Sequence, residues 1–176
     1  AWSPTSAQMD RAAALGRAAA GRLAGTLVQQ LTARLEADGP AGAIEFCSGR
    51  AVELTDSVNA GLEGLAVKRT STRVRNPDNA PDSLEAAALS RFEIAAAGGA
   101  LPASWVQITA EEQLRYYQPL VVNEMCVQCH GAEEALAPVV RARLAALYPD
   151  DRAVGYAPGD FRGLIRVAIP REALDR

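Results

Sequence analysis

Residues 126–130 read Cys-Val-Gln-Cys-His, and this one turn holds two of the chain's three cysteines and its only histidine. Any fold of this chain must bring two thiols and an imidazole to one spot and build a site around them. Three chemistries compete for the spacing. A thioredoxin-type redox pair starts a helix after a strand, and "QPLVV" supplies a strand, but that chemistry needs no histidine directly after the second cysteine. A zinc site takes four ligands, and Cys126, Cys129 and His130 with the remaining Cys47 would make a Cys₃His set. Covalent attachment of a c-type haem has Cys-x-x-Cys-His as its pattern. The two thiols reach the two vinyl groups, and the next side chain offers its imidazole to iron. Chance would have to place the chain's only histidine at that position, which weighs the choice toward haem.

The rest of the chain suits a cofactor. Of its 176 residues, 49% are apolar, but 36 residues are alanine and only 5% are aromatic. A bound macrocycle would supply core bulk that these side chains lack, and its propionates would need cations. "VKRTSTRVR" offers Lys68, Arg69, Arg73 and Arg75, and the three arginines share one face if the segment is a strand with a period of two. A solvated edge whose charges oppose aggregation is the competing explanation. The net charge of −3, with no strongly basic end, argues against nucleic acid as a partner. No apolar run is long enough to span a bilayer, and no basic segment leads into an apolar one as in a signal peptide. The chain begins at Ala1 rather than Met, which is consistent with a leader or anchor cleaved or omitted.

The length suits one domain over 1–176, in which a long helix at 7–37 precedes a core at 43–170 that the Cys-x-x-Cys-His turn marks as haem-binding. Leu23, Leu27, Leu31 and Leu35 recur every four residues along the long helix, whose predicted length of roughly 45 Å exceeds a small domain's width. Such a helix either packs on the core or pairs with a second copy of the chain. "DGPAG" at 38–42 breaks it, and a second helix at about 43–58 carries Ile44, Cys47, Ala51, Leu54 and Val58 on one face. "GLAVKRTST" reads as a strand, and Asp82 with Glu85 forms a capping box for a helix at 83–97 that Gly98 and Gly99 end. "SWVQIT", "QLRYYQPLVV" and "LIRVAI" read as strands, Pro119 marking an edge or a bulge in the second, and Pro138 opens a helix that stops before Pro149. Helices and strands mix without regular βαβ alternation, so the fold class is α+β with an antiparallel sheet.

With no second histidine, the position opposite His130 falls to Met9, Met125, Cys47, Lys68, a tyrosine, the N-terminal amine, water or nothing. Cys47 lies near the start of its helix, where free amide N–H groups favour thiolate, and thiolate is a known haem ligand. A buried free cysteine that simply packs as a small hydrophobe is an equal alternative.

The stretches "AIEFCSGRA", "VKRTSTRVRNPDNAPDSLE", "YYQPLVVNEMCVQCHG" and "YPDDRAVGYAPGDFRGLIRVAI" resemble the cyanobacterial Tll-type c-haem proteins and their bacterial relatives, the c-haem PAS-like periplasmic sensor domains. The resemblance spans roughly residues 20–170. It implies a PAS-like fold: a central antiparallel sheet, flanking helices and a long N-terminal helix. It also implies one covalent haem c on Cys126 and Cys129, with His130 and Cys47 as the two iron ligands. The expected function is then a redox or small-ligand sensor, with electron transfer as the alternative. A diatomic gas would bind the ferrous state, and the redox or signalling partner is not specified. An enzyme such as a peroxidase is disfavoured, because a distal base is wanting once the only histidine is used. Haem attachment places the protein in the periplasm or another extracytoplasmic compartment.

Overall fold

The computed structural model describes residues 2–175. Helix α1 runs over Ser6–Ala60 and is opened by a capping box in which Thr5 and Gln8 exchange side-chain-to-backbone hydrogen bonds. The expected break falls inside it at one residue, Gly39, whose φ of 68° suits glycine, and Pro40 begins the second limb. Strands β1 (Ala66–Thr70), β2 (Trp105–Ile108), β3 (Leu114–Val121) and β4 (Phe161–Ile169) form one antiparallel sheet in the order β1-β4-β3-β2. Helices α2 (Ser83–Ala97), α3 (Val127–His130) and α4 (Pro138–Leu147) complete the α+β architecture. Among the described residues, no helix is long and apolar enough to cross a membrane.

The sheet is covered on both faces because its strands alternate. Val67, Tyr116, Ile165, Val167 and Ile169 turn toward the first limb of α1, where they meet Ala12, Ala19, Ala20 and Leu23. The abundance of alanine has its explanation here, since small residues let the helix lie close against the sheet. A Cβ added to Gly16 would stand 2.1 Å from Tyr116 Cγ. The opposite face packs on α2, where Leu89 and Phe92 are fully buried with Tyr117 and Leu164, each contributing about 1.5–3 kcal/mol by leaving water. Asp82 caps α2 through the expected box with Glu85. The second limb of α1 packs on α4 through Ile44, Leu136, Val140 and Leu144.

Pro119 is not on an edge strand, since β3 lies between β4 and β2. It is tolerated because β2 pairs only with Leu114–Tyr117, and the ladder to β4 slips at Leu120/Val121, the irregularity that proline marks. β1 is an edge strand, and its outward Val67 backbone bonds the Asn59 side chain through both N–H and C=O, at 2.7 and 3.1 Å.

Candidate functional site

Where the two limbs of α1, the ends of β1 and β4, and the 122–130 turn converge, they enclose a cavity of about 340 Å³. Cys47, Cys126, Cys129 and His130 all line it. So do Leu27, Leu31 and Leu35 of the leucine stripe, while Leu23 is buried in the core between α1 and the sheet. The site is therefore not confined to 43–170: the first limb of α1 forms one wall.

Helix α3 is a single turn. His130 N–H and Cys129 N–H both donate to Cys126 O, at 2.9 and 3.2 Å. A four-residue turn is shorter than the helix a thioredoxin-type pair uses, and burial raises the Cys129 thiol above its ordinary value. Among the described residues, no three or more His, Cys, Asp and Glu side chains converge as a metal-ion site, so the four-ligand zinc arrangement is not formed. All three cysteines are free thiols.

The imidazole is fixed by a strap at residues 151–156. Ala153 O lies 2.6 Å from His130 Nδ1, and a carbonyl only accepts, so Nδ1 carries the hydrogen and Nε2 keeps its lone pair. Tyr156 N–H donates to His130 O at 2.9 Å and Gly155 N–H to Gly131 O at 2.7 Å. Burial, then the charges of Arg75 and Arg162, pushes the His130 pKa down to about 3. The ring is neutral at physiological pH with one nitrogen available as a ligand.

The arginines divide differently from the sequence expectation. β1 ends at Thr70, so the period of two does not carry through to residues 73 and 75. Arg69, on the same face as Val67, lines the cavity. Arg75 lines it too, but its Nε pairs with Asp151 Oδ2 at 3.0 Å, and its Nη2 donates to Cys129 O at 2.6 Å. Arg73 does not line the cavity. It donates to Arg152 O and Val154 O and lies over the Tyr156 ring, holding the strap from outside. The cation missed from sequence is Arg162, at the start of β4 and just ahead of the expected strand "LIRVAI". Its Nη1 donates to Ser71 Oγ and Arg73 O, and it lines the cavity. Among the described residues no carboxylate lines the cavity, and Arg69 makes no ion pair. Burial lowers the pKa of Arg69, and the nearest groups that could offset this are Cys47 and Tyr148. The Thr70 hydroxyl is buried without a partner, but alternation along β1 turns that side chain to the α2 face with Lys68 and Leu164.

The candidates for the place opposite His130 separate clearly. Lys68 lies on the other face of the sheet, ion-paired to Glu85 at 2.7 Å. Met9 packs in the core between α1 and the sheet. The N-terminal amine belongs to Ala1, outside the described residues. Cys47, Met125 and Tyr148 line the cavity. Met125 adjoins Cys126 and accepts from Thr32 Oγ1 at 3.7 Å. The helix-terminus reason for a thiolate at Cys47 does not hold: the residue lies beyond the first turn after Pro40, where amides are already paired. Burial raises its pKa, and only the charges of Arg69 and Arg75 oppose this.

The fold is similar to that of the cyanobacterial heme-protein Tll0287, with a TM-score of 0.59 and 25% identity over 84% of this chain and 92% of that one. No curated protein matches the chain. The model of the Tll0287-like family matches residues 6–170, the whole of α1, the sheet and the strap included. The chain therefore belongs to the Tll0287-like family.

Proposed function

We propose that the chain is a mono-haem c-type protein of an extracytoplasmic compartment, attached through Cys126 and Cys129 and ligated by His130 and Cys47, and that it acts as a redox or small-ligand sensor. The observation that carries this reading is the lining of the cavity: apolar walls, a Cys-x-x-Cys-His turn, a third thiol, and three arginines with no carboxylate among the described residues. That lining suits a large apolar disc bearing two carboxylates. The cation without an ion pair at Arg69 is the polar group such an occupant would satisfy. Likeness to a heme-protein supports the same occupant.

When bound, haem supplies an iron that changes between ferric and ferrous. The chain's residues set what that change does. His130 presents Nε2 because Ala153 O fixes the hydrogen on Nδ1. Arg69, and Arg162 through the nitrogens not committed to Ser71 and Arg73, are the cations for the propionates. Cys47 would supply an anionic sulfur, favouring ferric iron. Because burial favours its thiol form, Cys47 is the residue that would hold a ferric iron as thiolate and release a ferrous one as thiol, the change a sensor would use. Electron transfer is the second reading, favoured by two candidate ligands on one cavity, which would keep the iron closed in both states.

Carbon monoxide or nitric oxide added to the reduced protein separates the two. A sensor binds the gas and loses its low-spin ferrous spectrum. An electron carrier keeps its spectrum unchanged at saturating gas.

A further inference from the structure

We propose that Arg75 and Asp151 act as an opposed pair that sets the donor strength of His130 through the carbonyl of Ala153, and so sets the reduction potential of the bound haem. This rests on the haem reading above and concerns two positioning residues that supply neither a thiol nor an imidazole.

The geometry is a closed circuit. Ala153 O accepts from His130 Nδ1 at 2.6 Å and also lies 3.3 Å from Arg75 Nη2. The same Nη2 donates to Cys129 O at 2.6 Å, tying the guanidinium to the attachment turn. Arg75 Nε is held by Asp151 Oδ2 at 3.0 Å, and Asp151 Oδ1 accepts from Ala153 N–H at 2.8 Å. Arg75 and Asp151 are largely shielded from water, their side chains being 13% and 9% exposed, so the charges act with little screening.

Two signs follow. A carbonyl that already accepts from a guanidinium is a poorer acceptor for the imidazole N–H. His130 then keeps less electron density and donates less to iron. The Arg75 charge acts in the same sense, since a cation beside the cavity favours the ferrous state. Asp151 opposes both effects, because it neutralises Arg75. Loss of the arginine charge should therefore lower the potential, and loss of the aspartate charge should raise it. A pair that merely packed the strap would move the potential in one direction on either substitution, or not at all.

The experiment is a redox titration of the haem-loaded wild type, R75Q, R75K and D151N, each checked by mass for the attached group. R75Q should shift the reduction equilibrium toward ferric by about tenfold, ~59 mV for one electron, and D151N should shift it toward ferrous by a similar factor. R75K keeps the charge but not the fork, and should fall between wild type and R75Q. R75K equal to wild type would remove the carbonyl's part and overturn the proposal. Shifts of the same sign in R75Q and D151N, or none in either, would also overturn it while leaving the haem reading intact. If R75Q fails to mature, the near-isosteric D151N decides alone: a potential raised supports the pair, and one unchanged or lowered sinks it. A wild type without haem would defeat both readings together.

Discussion

Glu85 offers the sharpest test of how the sheet holds the cavity's arginine in place. Its carboxylate is fully buried on the α2 face and takes Lys68 Nζ at 2.7 Å and Arg166 Nε at 2.9 Å. Lys68 is paired with Arg166 across β1 and β4, one residue from Arg69 and Ile165, which face the cavity from the other side. Glu85→Gln keeps the shape and the capping contact to Asp82 N–H but leaves two cations facing a neutral amide. Removing one partner from a buried pair costs about 3–5 kcal/mol. The lower end applies, because both cations reach some solvent and retain carbonyls, Lys68 that of Ala80 and Arg166 that of Ala66. At about 2–4 °C per kcal/mol, a loss of about 3 kcal/mol lowers the melting temperature by ~6–12 °C. The control is Glu45→Gln, whose 2.8 Å pair with Arg143 is half exposed and should contribute less than about 1 kcal/mol. Burial would raise the Glu85 pKa, but hydrogen bonds from Lys68, Arg166 and the Asp82 backbone hold it below its ordinary 4.5. A depressed acid stabilises the fold above its unfolded pKa, so this contribution is present above about 4.5 and lost as pH falls through the lower folded value. Urea melts at neutral and acid pH read both effects. If Glu85→Gln costs no more than Glu45→Gln, or keeps the wild-type acid slope, the buried pair does not hold the strands as argued.

Two further outcomes concern the cavity. Cys47→Ser should abolish thiolate features in the ferric spectrum and raise the potential, because an anionic sulfur favours Fe(III); a variant unchanged in both measurements assigns the ligand elsewhere. Arg69→Leu should stabilise the polypeptide made without haem attachment by about 1 kcal/mol in a denaturant melt, because it removes a half-buried cation lacking an ion pair, yet it should lower the potential of the haem-loaded protein; a haem-free form destabilised by the change would show that Arg69 has a partner within the chain.

The parts legible in the sequence are those where side-chain chemistry or periodicity speaks for itself. Asp82 and Glu85 announced α2 because a capping box has fixed spacing. β-branched and aromatic runs announced the four strands. Cys126, Cys129 and His130 fall in one turn and share the cavity, which Cys47 also lines, but the residues alone leave even whether the helix brings Cys47 there, and only the family resemblance tips it. Arg73 was misplaced because the period-two argument assumed a strand that ends at Thr70, after which the chain turns; Arg75 still reaches the cavity, but from that turn and with its guanidinium already on Cys129 O and Asp151. Lys68 looked like a cavity cation, but alternation turns it to Glu85. The strap at 151–156 works through backbone groups, chiefly Ala153 O, and a carbonyl has no identity in a sequence. Only the stretch "YPDDRAVGY" within the family resemblance hinted at it.

The central claim is covalent haem on Cys126 and Cys129, and the mass of the denatured protein tests it most directly. The chain should be produced with a cytochrome c assembly system, unfolded in acid and denaturant, and weighed beside a Cys126→Ala/Cys129→Ala form. The expected mass is the polypeptide plus one haem for the wild type and the bare polypeptide for the double variant. A wild-type mass equal to the bare polypeptide under these conditions would contradict the claim.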